Sequence, residues 1–230
     1  AMIFAKSSTR TRVSFDVGIF QLGGMGLYLN TSDIQLGRGE TIRDTAETIS
    51  RMVDGIMIRT FKQEDVVELA KYSHVPVING LTDAYHPCQA LSDLLTFWEH
   101  KGTFKGKKLA YIGDGNNVCH SLMIACTKLG MSISVAHPKG YAPDLLVQEF
   151  AAMNADSTHC TLEIGNDPVQ AVAGADAVYT DVWASMGQES EFEDRKAFFD
   201  PYQVNNILLS HAHPDCIFMH CLPAHTGEEV

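Results

Sequence analysis

Short apolar runs alternate with longer stretches of helical period along this chain. Residues 3–5, 26–30 (GLYLN), 55–60 (GIMIRT) and 75–79 (VPVIN) are compact apolar runs bounded by turn formers, as expected of buried strands. Between them, Phe15, Ile19 and Leu22 recur at i, i+4 and i+7 and predict a helix face, stopped by Gly23-Gly24. Residues 41–52 open on a Thr41/Asp44 start signal, 63–72 are helical, and 86–100 carry ALSDLLTFWEH on a fourth helix. After KGTFKGKK at 101–108, basic and with little periodicity, the alternation restarts. Strands are predicted at 109–113, 132–136, 161–164, 177–182 and 216–222, with helices at 118–129, 143–153, 168–173 and 194–208.

Repeated βα units predict an α/β fold of two tandem domains, each a parallel sheet flanked by helices with right-handed crossovers. The break at 101–108 divides them into 1–103 and 104–230. Such sheets bind ligands beyond the carboxyl ends of their strands. The chain enters a strand directly at Ala1, so it is expected to be truncated at its amino end.

Composition narrows the function classes. A net charge of −11 argues against a nucleic-acid partner, whose phosphate backbone needs a basic surface. No apolar run is long enough to cross a bilayer, so no membrane role is expected. The arginines are unevenly placed: Arg10, Arg12, Arg38, Arg43, Arg51 and Arg59 against Arg195 alone in the rest. That suggests a local anion site near the start, with Arg38, Arg43 and Arg51 facing water. The six cysteines are scattered and read as free thiols of a reducing compartment, the cytoplasm or a mitochondrial matrix.

KSSTRTR (6–12) follows the first strand and opens a helix, with Ser8 or Thr9 as the N-cap. Arginines at a helix N-terminus oppose the macrodipole, unless an anion is the intended occupant. A guanidinium there can offer phosphate a bidentate fork. Arg59 ends the apolar run 55–60, and HPCQ (86–89) opens the fourth helix with His86 and Gln89 three residues apart. All three features fall at strand ends.

STRTR with a downstream HPCQ resembles the aspartate/ornithine carbamoyltransferase family, over essentially the whole chain. The resemblance implies that Ser8, Thr9, Arg10 and Thr11 hold the phosphate of carbamoyl phosphate. It also implies that Thr11, Arg59 and His86 stabilise charge on the carbamoyl oxygen, that Gln89 holds the carbamoyl amide, and that Gln35 reaches into a neighbouring subunit of a homotrimer. Domain 1–103 would then bind carbamoyl phosphate and domain 104–230 the amine. Family members continue past HCLPAHTGEEV and begin upstream of Ala1, so these 230 residues alone are expected to make a poor enzyme.

In the second half, GDGNN (113–117) looks like a nucleotide turn, but Val118 takes the third glycine position and no acidic residue ends the next strand. A dinucleotide site is rejected, and the resemblance assigns Asn117 to the amino-acid substrate. DVWASMG (181–187) places Asp181 at a strand terminus, suited to an α-ammonium group. Together with HCLPAH (220–225) it resembles the ornithine-using branch of the family. The implied ornithine contacts are Asn117, Asp181, Ser185, Met186, Cys221 and the Leu222 backbone, with Arg59, His86 and Cys221 as the catalytic set. Asp181 beside Cys221 should favour thiol over thiolate. The rival amines are putrescine and N-acetylornithine; the rival class is a non-catalytic anion-binding α/β module. His211, His213, Cys216, His220, Cys221 and His225 match no standard zinc spacing. In a strand at 216–222, His220 and Cys221 would face opposite ways and could not share an ion. No metal and no organic cofactor are expected.

Overall fold

The computed structural model describes residues 1–184 and 192–230, without the side chains of 192–194. The chain forms two compact units, Ala1–Cys88 and Gln89–Val230, each considered by itself.

The first unit runs β1 (Met2–Phe4), α1 (Thr9–Gln21), β2 (Tyr28–Asn30), a 3-10 turn at Gln35–Arg38, α2 (Ile42–Ile49), β3 (Ile56–Arg59), α3 (Gln63–Tyr72) and β4 (Val77–Leu81). The strands pair in parallel in the order β2-β1-β3-β4. Alternation sends Ile3, Ile56 and Ile58 to one face, where Ala46 of α2 and Val66 and Leu69 of α3 cover them. Met2, Phe4 and Met57 take the other face, against Phe15 of α1 and Tyr28. Both faces are covered, which is why the strands read as continuous apolar runs. The predicted face of α1 needs correction. Phe15 packs inward, but Ile19 is exposed, Leu22 is the C-cap, and the helix buries no residue. Arg38, Arg43 and Arg51 are exposed, as the sequence suggested.

The register between β3 and β4 slips at its end, from Ile58↔Asn79 to Arg59↔Leu81, leaving Gly80 as an extra residue. A Cβ on Gly80 would lie 3.1 Å from the Ile58 carbonyl oxygen and 2.5 Å from Met57 Sδ, so glycine spares the bulge a shift of its neighbours.

Helix α4 (Pro87–Lys101) carries the division between the units in its first turn. The second unit continues with β5 (Lys108–Ile112), α5 (Asn117–Lys128), β6 (Ser132–Ala136), α6 (Leu145–Thr158), β7 (Leu162–Gly165), α7 (Pro168–Val172), β8 (Ala177–Thr180), α8 (Phe192–Phe199), α9 (Asn206–Leu209) and β9 (Ile217–His220). Its parallel order is β7-β6-β5-β8-β9. Ala110, Ile112, Val178 and Ala136 meet Val172, Tyr202 and Leu208 in a core on one face. Helix α6 runs five residues beyond the predicted end at 153. The single helix expected at 194–208 is instead α8, a 3-10 turn at Asp200–Tyr202, and α9. Pro201 has no N–H for a helix interior, and the Asn205 side chain caps α9 by accepting from the Ile207 and Leu208 amides, both at 3.1 Å.

In each sheet the strand order reverses once. The reversal falls between β1 and β3 in the first unit and between β5 and β8 in the second. The carboxyl ends of those four strands are the places where an open parallel sheet takes ligands.

Candidate functional site

At the first reversal, β1 ends at Phe4 beside Arg59, the last residue of β3, and the Ala5 amide donates to the Arg59 carbonyl at 2.8 Å. Ser8 is the N-cap of α1: its Oγ accepts from the Thr11 amide at 3.2 Å and lies 3.0 Å from Thr11 Oγ1. Arg59, 6% exposed, reaches across to Thr11 Oγ1 at 3.5 Å. Burial, and then the nearby Arg10 guanidinium, lower the pKa of Arg59. Burial, and then Arg59, hold the His86 imidazole at a pKa of about 4. It is therefore neutral near pH 7. Two guanidinium groups, one bearing on the other, thus lie near the positive end of a helix beside a neutral imidazole, a setting whose chemistry suits an anion.

Lys6, the first residue of the motif, does not join them. It is buried, ion-paired with Asp83 and stacked 4.4 Å over the Phe61 ring. His86 is carried by a turn in which the Thr82 amide donates to the Tyr85 carbonyl at 2.8 Å and the Tyr85 amide to Thr82 Oγ1 at 3.0 Å. Gln35 is exposed at the start of the 3-10 turn.

At the second reversal the turn after β5 meets the loop after β8. Asn116 caps α5, its Oδ1 accepting from the Val118 and Cys119 amides at 3.0 and 3.1 Å. Its Nδ2 donates to Asp181 Oδ2 at 2.7 Å. Asn117, the residue singled out from the sequence, is the first residue of α5, and its carbonyl accepts from Ser121 Oγ at 2.8 Å. Asp181 is buried, and its Oδ1 accepts from the Val182 amide and from the Cys221 thiol, both at 2.8 Å. Burial, and then Asp181, push the Cys221 pKa far up, so the side chain is a thiol and a donor. Ser185 and Met186 lie outside the described residues.

The glycine-rich turn itself has a local explanation. A Cβ on Gly115 would lie 2.2 Å from Pro143 N and 2.4 Å from the Ala142 carbonyl carbon. The close approach of the chain's own backbone is thus enough to account for glycine at this position.

The expectation that His220 and Cys221 face opposite ways is overturned. One donor atom each from Asp181, His220 and Cys221 lies within 4.8 Å of the others. Strand β9 stops at His220, so pleat alternation does not reach Cys221, and Leu222 turns the chain with φ of 62°. These donors are engaged within the chain. His220 Nδ1 accepts from the Leu222 amide at 2.8 Å, His220 Nε2 is 3.2 Å from Glu229 Oε1, and Cys221 donates to Asp181.

Three residues were missed. Asn116 was legible, since a cap precedes its helix by one position. Arg195 is 5% exposed, ion-paired with Asp114, bonded to the Trp183 carbonyl at 2.6 Å and stacked 4.7 Å over the Tyr141 ring. Its isolation from the other arginines was the available signal. Asp93, buried on α4, accepts from Gln89 Nε2 at 2.9 Å, at the i,i+4 spacing that brings helical neighbours together.

Comparison with known proteins agrees with this layout. The family model described as aspartate/ornithine carbamoyltransferase, carbamoyl-P binding domain, matches residues 1–99. The model for the Asp/Orn binding domain of the same family matches residues 105–230. The chain is 63% identical to the ornithine carbamoyltransferase of Thermococcus kodakarensis, over all 230 residues and 73% of that protein. It is 60% identical to that of Bacillus subtilis, over 72% of that protein. The solved ornithine carbamoyltransferase of Pyrococcus furiosus superposes with a TM-score of 0.95 at 61% identity, covering 99% of this chain and 73% of that one.

Proposed function

The chain belongs to the aspartate/ornithine carbamoyltransferase family, and we propose that it transfers the carbamoyl group of carbamoyl phosphate to L-ornithine, giving L-citrulline and phosphate. The observation that carries the chemistry is the convergence of Arg10, Arg59 and His86 on the N-terminus of α1. Ser8, Thr9, Arg10 and Thr11 take the phosphate, through hydroxyls, the amides of the helix start and the guanidinium fork. Thr11, Arg59 and neutral His86 donate to the carbamoyl oxygen, where charge develops as the carbonyl is attacked. Gln89 holds the carbamoyl NH2.

Ornithine binds at the second reversal. Asp181 takes the α-ammonium group, with Asn117, Ser185 and Met186 at the α-amino and carboxylate ends. Cys221 and the Leu222 backbone face the reacting amine. The lone pair of the neutral δ-amine attacks the carbamoyl carbon and a tetrahedral intermediate forms. The carbon–oxygen bond to phosphate then breaks, phosphate leaves with the bonding electrons, and the nitrogen loses a proton. Cys221 is held as a thiol by burial and by Asp181 and is not the nucleophile in this scheme. Gln35, exposed on its turn, completes the site of a neighbouring copy in a homotrimer.

The test offers carbamoyl phosphate with ornithine, putrescine, N-acetylornithine and aspartate in parallel. Phosphate release with ornithine alone is expected. Faster release with any of the others would reassign the amine site.

A further inference from the structure

Among the buried titratable groups that the scheme above leaves unused, Asp93 is bonded directly to a residue that the scheme does use. Asp93 is 6% exposed in the second turn of α4. Its Oδ1 accepts from Gln89 Nε2 at 2.9 Å. Nothing else in that scheme needs a carboxyl there, and burying one is costly. An amide has a donor end and an acceptor end. An ionised carboxylate only accepts, so it can face only the NH2 end of Gln89. The chemistry of the pair fixes which way the Gln89 amide is turned, and its carbonyl oxygen remains for another partner.

We propose that Asp93 is a positioning residue for the carbamoyl group: it holds the Gln89 amide so that Oε1 is presented as an acceptor to the NH2 of carbamoyl phosphate. This rests on the contact given to Gln89 above and deepens it into a specificity device. A ligand with NH2 beside its carbonyl is recognised, and an acyl phosphate with methyl in that place is not. Burial raises the Asp93 pKa to about 6 while its hydrogen bonds with Gln89 and Tyr179 oppose the rise, so the group is ionised at neutral pH. Below that pH the protonated carboxyl could donate to Oε1, and the amide could turn round. The titratable groups that bear on Asp93 are Tyr179 on β8, Asp181 after it, Cys221 after β9 and Cys126 on α5. Burial raises the pKa of Tyr179, Cys221 and Cys126, which keeps those three neutral across the acid range.

The test compares binding of carbamoyl phosphate, acetyl phosphate and inorganic phosphate to the full chain by calorimetry. Asp93→Ala is expected to weaken carbamoyl phosphate on the order of tenfold, as for a lost bond to a charged group, and to leave the other two nearly unchanged. Asp93→Asn, whose Oδ1 can still accept, should recover much of the loss. In a Gln89→Ala background Asp93→Ala should cost nothing further, because it acts through Gln89. An equal loss for all three ligands, or an undiminished loss in the Gln89→Ala background, would mark Asp93 as merely structural and overturn the proposal. Should Asp93→Ala fail to fold, the native protein still decides. Its preference for carbamoyl over acetyl phosphate should fall as pH drops through about 6, and a preference constant to pH 5 would overturn the proposal. Native protein that binds neither acyl phosphate sinks the functional reading itself. Native protein that binds both equally at neutral pH sinks only the role of Asp93.

Discussion

The turns after β1 and β5 are the same device put to opposite electrostatic use. Each follows a strand beside a sheet reversal and opens a helix on a side-chain cap, Ser8 in one and Asn116 in the other. Around Asn116 the polar groups answer one another: Asn116 with Asp181, Tyr111 with Asn116, and Asp114 with Arg195. Around Ser8 a second arginine and burial bear on Arg59, and Arg59 bears on His86. The second turn sets unlike groups against one another, whereas at the first one guanidinium bears on another and on a neutral imidazole. The difference teaches that a cap marks where a helix begins, while the charge around it marks whether something else is meant to bind.

That contrast can be broken at its strongest point by Arg195→Met. It strips the counter-cation from Asp114, whose pKa burial already raises. A buried pair that loses one partner costs about 3–5 kcal/mol, and urea unfolding should show a loss of that size. A change below about 1 kcal/mol would mean that the second turn does not depend on its internal ion pair.

His86 sharpens the contrast through pH. Its pKa falls from 6.5 in the unfolded chain to about 4 in the folded one. The folded form resists protonation, so the linked stability is present in full above pH 6.5 and is lost as pH falls towards 4. The total is on the order of 3 kcal/mol. Unfolding measured at pH 7, 5 and 4 should show that His86→Gln loses less stability over this range than the native protein. Parallel declines would place His86 in an ordinary solvated setting.

The smallest effect is expected at Arg10. Arg10→Lys keeps the charge and loses the planar fork. Phosphate should bind about tenfold more weakly by calorimetry, with the midpoint of unfolding unchanged or slightly raised. Wild-type phosphate affinity in this variant would remove Arg10 from the anion site.

The alternation of elements was legible because the inner strands β1, β3, β5, β6 and β8 are buried almost throughout, so each stands out as an apolar run. The residues flanking the first reversal were legible for a related reason: arginine after serine and threonine caps contradicts the helix dipole, and such a contradiction can be read in one dimension. Failures came where a local pattern met a non-local fact. The period of Phe15, Ile19 and Leu22 says that a helix has an apolar side, not that this unit covers it. Pro201 and Asn205 carried the break between α8 and α9, yet the apolar residues around them kept a helical rhythm. The alternation argument at His220 and Cys221 assumed a strand that runs two residues past the end of β9. Arg195 with Asp114 is separated by 81 positions, and nothing local in the sequence announces such a pairing.

Gly115 carries a consequence for what substitutions this chain can accept. Its Cα sits against the backbone of residues 142–143, and its amide donates to the Tyr141 carbonyl at 2.9 Å. Next along that backbone the Asp144 amide donates to His120 Nε2 at 3.0 Å, while the Asp144 side chain caps α6. One missing methyl group therefore lets the start of α5 and the start of α6 share a single junction. A library randomised at this position should return glycine almost alone, even when survivors are selected for folding and never for activity. In such a screen position 115 would stand out as intolerant for a purely structural reason, because what it accommodates is another stretch of the same chain.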